Sequence, residues 1–236
     1  MPGVFVRKEE FSLLIKEKRF RRATVAIVFF MQLFVLVVGI KENERKDSAL
    51  KAMVFIEDNG YGGNGSVYKI DEEELVIVTT YHLLQNGEDV TVRFPDNRAV
   101  EGKVLGVNEE HDVGFVTVQI EDILADTMQN VSAVQTKQST YNSLEQGDDM
   151  QYCFLSYDGV FVNQEINKGS IGHMNWHVPD FDDYLIYNYC DVRPGMSGCA
   201  AVAEDGSYLG MVIGGYDNES AALSIHVIDK VYQELY

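Results

Sequence analysis

An all-β domain is predicted from three observations. After Leu50 the chain breaks into short runs rich in Val, Ile, Tyr, Phe and Thr. Clusters of Gly, Asn and Asp, as in DNGYGGNG, PDNR and EDGS, separate those runs. No segment before the C-terminal tail places apolar residues at helical spacing between two such runs. β-branched and aromatic residues suit a pleated, half-buried surface, and Gly, Asn and Asp suit the turns between strands.

In chain order the expected strands are Ala52–Glu57, Leu75–Thr79, Val90–Phe94, Val100–Val107 and Val113–Ile120. A second group follows at Met150–Ser156, Val160–Ile166, Tyr184–Tyr189, Cys199–Ala203 and Tyr208–Ile213. The polar stretch Asp126–Gly147 reads as the boundary between two halves. This even spacing favours a barrel or sandwich over alternating β and α units. The tail Val227–Tyr236 reads as a short helix, with Val227, Ile228, Val231, Tyr232 and Leu235 on one face.

Ahead of this domain lies ATVAIVFFMQLFVLVVGI, residues 23–40, eighteen residues without a charge. That length suits a helix across a thin hydrocarbon core. Lys16, Lys18, Arg19, Arg21 and Arg22 precede it, and a charge-balanced segment follows. The positive-inside rule then makes 1–22 a cytoplasmic basic tail, 23–40 a transmembrane signal anchor, 41–48 a linker and 49–236 an extracytoplasmic domain. A cleaved signal peptide fits less well, because VVGIKEN offers no small-residue cleavage site.

The net charge is −18, unevenly distributed. Residues 1–48 carry ten Lys/Arg against six Asp/Glu, and the remainder nine against thirty-one. A body this acidic is repelled by phosphate backbones, so nucleic acid is not an expected partner. Cys153, Cys190 and Cys199 lack metal-ligand spacing and read as small buried hydrophobes, with a bridge from Cys190 to Cys199 or Cys153 as the alternative.

Three segments bear chemistry. Arg193-Pro-Gly-Met-Ser197-Gly198 sets a hydroxyl in a glycine turn, where the N–H groups of Gly195 and Ser197 can converge on one oxyanion. His82 follows the apolar run Val76-Ile-Val-Thr-Thr-Tyr, which fixes its imidazole at a strand end. Asp112 stands at the entrance to Val113-Gly-Phe-Val116. Singly, each is equally a turn residue or a packed polar group. Their joint order, His then Asp then Ser, is one of the three orders in which acyl-transfer triads occur.

The resemblance extends beyond these three. Gly63-Asn-Gly-Ser-Val67, Thr79-Thr-Tyr-His82-Leu83, Val92–Arg98, Gly102–Gly106, His111-Asp112-Val-Gly-Phe-Val116, Pro194-Gly-Met-Ser197-Gly-Cys199, Asp205–Met211 and Leu223-Ser-Ile-His226 follow one another as in one known domain. Residues 53–232 thus resemble the protease domain of the HtrA (DegP/DegS) group of trypsin-like serine proteases.

The resemblance implies two six-stranded antiparallel β-barrels of chymotrypsin/trypsin type. It implies His82 as base, Asp112 as orienting acid, Ser197 as nucleophile, and the Gly195 and Ser197 amides as oxyanion donors. Protein or peptide substrates and a homotrimeric assembly are implied, with no cofactor and no metal. Tyr81, Met196 and Cys199 depart from the family pattern, and no PDZ domain is expected after the terminal helix. Asp191, six residues before Ser197, takes the position at the base of the trypsin specificity pocket, where an acid selects Lys or Arg.

Other readings fit less well. His173 and His177 in HMNWH have metal-ligand spacing but lack the Glu of H-E-x-x-H and lie in a strand and turn context. An α/β-hydrolase is excluded because Cys199 breaks G-x-S-x-G and 39 residues after Ser197 cannot hold the rest of that site. The expected function is therefore a membrane-anchored serine endopeptidase, in extracytoplasmic quality control or regulatory cleavage. The alternative is a catalytically idle protease fold that binds a protein partner.

Overall fold

The computed structural model describes residues 24, 27–34, 36 and 48–236. The chain divides into two units, Met1–Asn43 and Glu44–Tyr236. The described residues of the first are helical. Among the described residues, no helix is long and apolar enough to cross a membrane, against the about 20 consecutive residues a crossing needs. The transmembrane anchor at 23–40, the membrane partner and the placement of the domain outside a membrane are corrected accordingly. The rest of 23–40, the tail 1–22 and most of the linker 41–48 lie outside the described residues.

The described residues of the second unit start with a helical turn, 48–51. Six strands follow: β1 (Met53–Asp58), β2 (Tyr61–Ile70), β3 (Glu74–Thr79), β4 (Asp89–Arg93), β5 (Ala99–Asn108) and β6 (Val113–Gln119). All pair antiparallel and close in the order β1-β2-β3-β6-β5-β4. Alternation along each strand explains the closure. Val54 and Ile56 of β1, Leu75 and Ile77 of β3, and Val116 and Val118 of β6 point into the barrel with Val67, Val92 and Phe94. Met53, Phe55, Val76, Val78, Val113 and Phe115, on the opposite faces of the same strands, belong to the core shared with the C-terminal half. These strands are buried on both sides, which is why they read as unbroken apolar runs.

Residues 120–148 cross to the second half and carry two short helices, α1 (Ala125–Met128) and α2 (Gln138–Ser143). The second sheet comprises β7 (Asp149–Tyr157), β8 (Val162–Val178), β9 (Asp183–Tyr189), β10 (Ala200–Ala203), β11 (Tyr208–Tyr216) and β12 (Glu219–Ser224). Its order is β10-β11-β12-β9-β8-β7, with β10 also joined to β7 over Ala200–Ala203.

The expectation of two six-stranded antiparallel barrels is corrected in the second half, whose sheet is less regular than the first, where the register shifts once in β2–β3 and once in β5–β6. In the second, the ring is joined by a strand of four residues, and the register shifts within β10–β11, β11–β12 and twice within β8–β9. The seventeen-residue β8 pairs with β7 through its first half and with β9 through its second. Its outer end therefore runs past the ring as one arm of a β8–β9 hairpin.

The chain ends in α3 (Ile225–Leu235), capped by the Ser224 hydroxyl, which accepts the Val227 N–H at 3.4 Å. Ile225, Ile228 and Val231 are buried, Tyr232 packs edge-on against Tyr68 and Phe115, and the Tyr68 hydroxyl donates to Asp229 at 2.6 Å. These contacts pin the helix to the first barrel.

Candidate active site

His82 sits on a single 3-10 turn, Tyr81–Leu83, at the end of β3. Thr80 is still extended, and the Leu84 N–H then closes on the Tyr81 carbonyl at 2.8 Å. Leu83 and Leu84 are buried and anchor the turn, leaving the imidazole outward with its side chain 40% exposed.

Asp112 closes the β5–β6 turn in a left-handed conformation, φ 49°, which Asp tolerates better than most residues. Its carbonyl accepts the Tyr81 N–H at 3.2 Å. Its carboxylate grips His82 twice: Oδ2 lies 2.8 Å from Nδ1 and Oδ1 accepts the His82 backbone N–H at 2.9 Å. An acceptor facing Nδ1 places the proton there and leaves Nε2 with its lone pair free to take another. Nε2 lies 3.4 Å from the Thr80 hydroxyl, at the outer edge of hydrogen-bond range.

Ser197 lies between β9 and β10 on two successive reverse turns. In the first, Met196 N–H donates to the Arg193 carbonyl at 3.1 Å. In the second, Cys199 N–H donates to the Met196 carbonyl at 3.0 Å. Each has a glycine with positive φ in third place, Gly195 at 92° and Gly198 at 84°, and Pro194 takes second place in the first. This is type II turn chemistry. The N–H groups of Gly195 and Ser197 have no hydrogen-bond acceptor among the described residues. Met196 and Cys199, the unusual neighbours of Ser197, are both buried.

Gly63 of β2 separates the two halves of the site. A Cβ there would lie 2.4 Å from Leu83 Cδ1 and 3.1 Å from the Ser197 carbonyl oxygen. The His82 turn and the Ser197 turn thus lie against the same residue. Among the described residues no hydrogen bond joins the Ser197 hydroxyl to His82. Such bonds are commonly long before substrate binds.

Asp191 is exposed. With Asn167, Val192, Arg193, Asp217 and Asn218 it lines an open hollow of about 560 Å³. Val192 packs on Gly215, where an added Cβ would meet its Cγ2 at 2.7 Å. Arg193 pairs with Glu165, whose carboxyl is held below its usual range by the Ser156 hydroxyl and then by Arg193, against burial. Across the turn, Phe55, Phe154, Tyr157 and Pro194 help line a second hollow of about 340 Å³.

The three cysteines are free and buried. Burial pushes the Cys153 and Cys190 thiols up to about 12 and holds the Cys199 thiol well above its ordinary value, which keeps all three protonated and unreactive. His173 packs on Trp176, His177 contacts Asp182 at 3.2 Å, and no cluster fit for a metal occurs among the described residues.

One polar residue of the site escapes a reading of the sequence: Asn64, inside GGNG, is fully buried against both Ser197 turns.

A β-barrel packed on a second antiparallel sheet, with a His–Asp pair on one and a Ser turn on the other, is the build of a trypsin-like peptidase. Residues 63–211, more than half of the chain, match the trypsin-like peptidase domain, and the chain belongs to that family. It is similar to proteins named "Serine protease HtrA-like" from Staphylococcus aureus strains MRSA252 and USA300. Each is 29% identical over 213 residues, which cover 84% of this chain and 26% of the relative. The chain thus spans about a quarter of the length of these curated relatives.

Proposed function

We propose that this domain is a serine-type endopeptidase in which Ser197 is the nucleophile, His82 the base and Asp112 its orienting acid. The observation that carries the reading is the double grip of Asp112 on His82, at 2.8 Å to Nδ1 and 2.9 Å to the backbone N–H. A carboxylate so placed selects one tautomer and one ring orientation, as a base at Nε2 requires.

The Ser197 hydroxyl attacks the scissile carbonyl carbon while its proton passes to Nε2. The carbonyl oxygen becomes an oxyanion, received by the N–H groups of Gly195 and Ser197. Collapse breaks the C–N bond, and His82 returns the proton to the departing amine. Water, deprotonated by the same Nε2, then releases the acid and restores Ser197. Asp112 stabilises the imidazolium at each step without taking its proton.

Asp191 and Asp217 on one hollow favour a Lys or Arg side chain on the acyl side of the cleaved bond, and the acidic body favours basic polypeptides on encounter. A second reading, an idle fold that binds a partner, draws on the unmade Ser197–His82 bond.

Digestion of a proteome-derived peptide library by wild type and Ser197→Ala tests the proposal. The expected result is cleavage after Lys and Arg by wild type alone. Equal cleavage by both proteins, or none by either, overturns it. Cleavage after aliphatic residues that depends on Ser197 would retain the triad and remove Asp191 from specificity.

A further inference from the structure

Asn64 belongs to β2 of the first barrel, yet its side chain serves the second sheet. It is fully buried. Its Oδ1 accepts the Leu155 N–H at 2.6 Å, and its Nδ2 donates to the Leu155 carbonyl at 3.0 Å and to the Gly195 carbonyl at 2.7 Å. The Leu155 N–H can face only an oxygen, which fixes the amide orientation and leaves Nδ2 toward Gly195. The backbone of Asn64 is as fully engaged. Its N–H donates to the Ser197 carbonyl at 2.7 Å, and its own carbonyl accepts the Thr79 hydroxyl at 2.6 Å.

One residue therefore holds Gly195 and Ser197, the two residues whose N–H groups lack an acceptor, each by its carbonyl. Pro194 locks its own φ on one side of Gly195. On the other, the peptide after Gly195 is held by Asn64 at its oxygen and by the Arg193 carbonyl at its N–H. Gly195, the most permissive residue of the turn, is left little room to rotate. Unpinned, its N–H would turn away from the oxyanion at small cost, because glycine adopts either sign of φ.

We infer that Asn64 is the positioning residue of the oxyanion turn: by clamping the Gly195 and Ser197 carbonyls across the seam between the two halves, it aims their N–H groups at one point. The inference rests on the function proposed above. It predicts an effect on the transition state rather than on binding, because the oxyanion exists only there.

The test uses the full chain with Asn64→Ala and Asn64→Asp, a peptide cleaved in a Ser197-dependent way, and fluorophosphonate labelling run to its end point to count folded sites. Asn64→Asp keeps the shape and the Leu155 N–H contact but turns an unprotonated oxygen on the Gly195 carbonyl. At pH 8 the expected kcat per labelled site falls about 10²-fold in both variants, the scale of an ångström-sized misplacement or a lost oxyanion donor. KM stays within about threefold of wild type, as for an interaction made only in the transition state.

Toward pH 6 the Asn64→Asp deficit narrows, since a protonated carboxyl again donates to Gly195, whereas the Asn64→Ala deficit does not. If Asn64→Ala fails to fold, this pH dependence of Asn64→Asp decides. A kcat per labelled site within threefold of wild type, or a loss that follows the labelled fraction alone, overturns the inference. If wild type itself shows no Ser197-dependent turnover, the proposed function has failed first, and that control separates the two failures.

Discussion

Replacing Asp112 with Asn alters one proton's placement and little else. Asn is among the residues that best tolerate a left-handed backbone, so the φ of 49° at this position is retained at small cost. Its amide oxygen can still accept the His82 backbone N–H now bound at 2.9 Å. The amide nitrogen then faces Nδ1, which must accept rather than donate, and the proton moves to Nε2. Nε2 can no longer take a proton from Ser197.

In a chymotrypsin-type enzyme the same exchange lowers kcat about 10⁴-fold with the geometry intact, equal to about 5.4 kcal/mol of transition-state stabilisation. A loss of that order is expected here. The assay is steady-state cleavage of a Ser197-dependent peptide, with thermal unfolding alongside. The expected midpoint stays within about 4 °C of wild type, the shift set by about 1 kcal/mol in a domain of this size. A kcat within tenfold of wild type would refute the role of Asp112 as the residue that selects the His82 tautomer.

Three further substitutions test the fold. Gly198→Ala puts a Cβ 1.8 Å from the Asn64 carbonyl oxygen in a residue at φ 84°, whereas Gly195→Ala, at φ 92°, meets nothing within 4 Å. Overpacking plus left-handed strain should cost the first roughly 3–5 kcal/mol and strain alone the second roughly 1–2 kcal/mol; denaturant unfolding in which the two are equal would contradict the turn geometry. Asp205 is held down to about 2: burial raises its pKa, but Ser207, Thr140 and Lys137 outweigh that. A depressed carboxyl stabilises the fold above its unfolded value and ceases to as pH falls through its folded one. Asp205→Asn should therefore cost about 1 kcal/mol at pH 7, allowing for solvent screening. That cost should fade between roughly pH 4 and pH 2, and a deficit that does not change with pH would contradict it.

What the sequence disclosed followed burial. β3 and β6 are apolar on both faces because each lies between the first barrel's interior and the shared core, so their runs stand out. The first of the missed strands, β2, spans Tyr61–Ile70 and looks like a turn because Gly62, Gly63 and Gly65 lie against Phe55, Leu83 and Ile77, where side chains would collide. Ala-rich β12 has no β-branched residue, and β8 runs twice as far as expected through residues exposed on both faces. Its length is set by pairing with β9 rather than by apolar pattern.

The same division holds at the site. His82, Asp112 and Ser197 each adjoin a strand that announces itself, so their order was readable. Asn64 is tied to Leu155, 91 residues away, and to Gly195, 131 residues away, and no local pattern signals such partners. The apolar run at 23–40 shows the opposite error, for hydropathy alone suggested a span that the described helix does not supply.

The central claim is that the Ser197 hydroxyl is made nucleophilic by His82. Intact-mass measurement after exposure to a fluorophosphonate probe tests it most directly, with wild type, Ser197→Ala and His82→Ala side by side. The account predicts one adduct per wild-type chain, none on Ser197→Ala, and labelling of His82→Ala slowed by at least 10³-fold, on the scale of losing a triad member. An adduct on Ser197→Ala at the wild-type rate, or labelling of His82→Ala as fast as wild type, would contradict it.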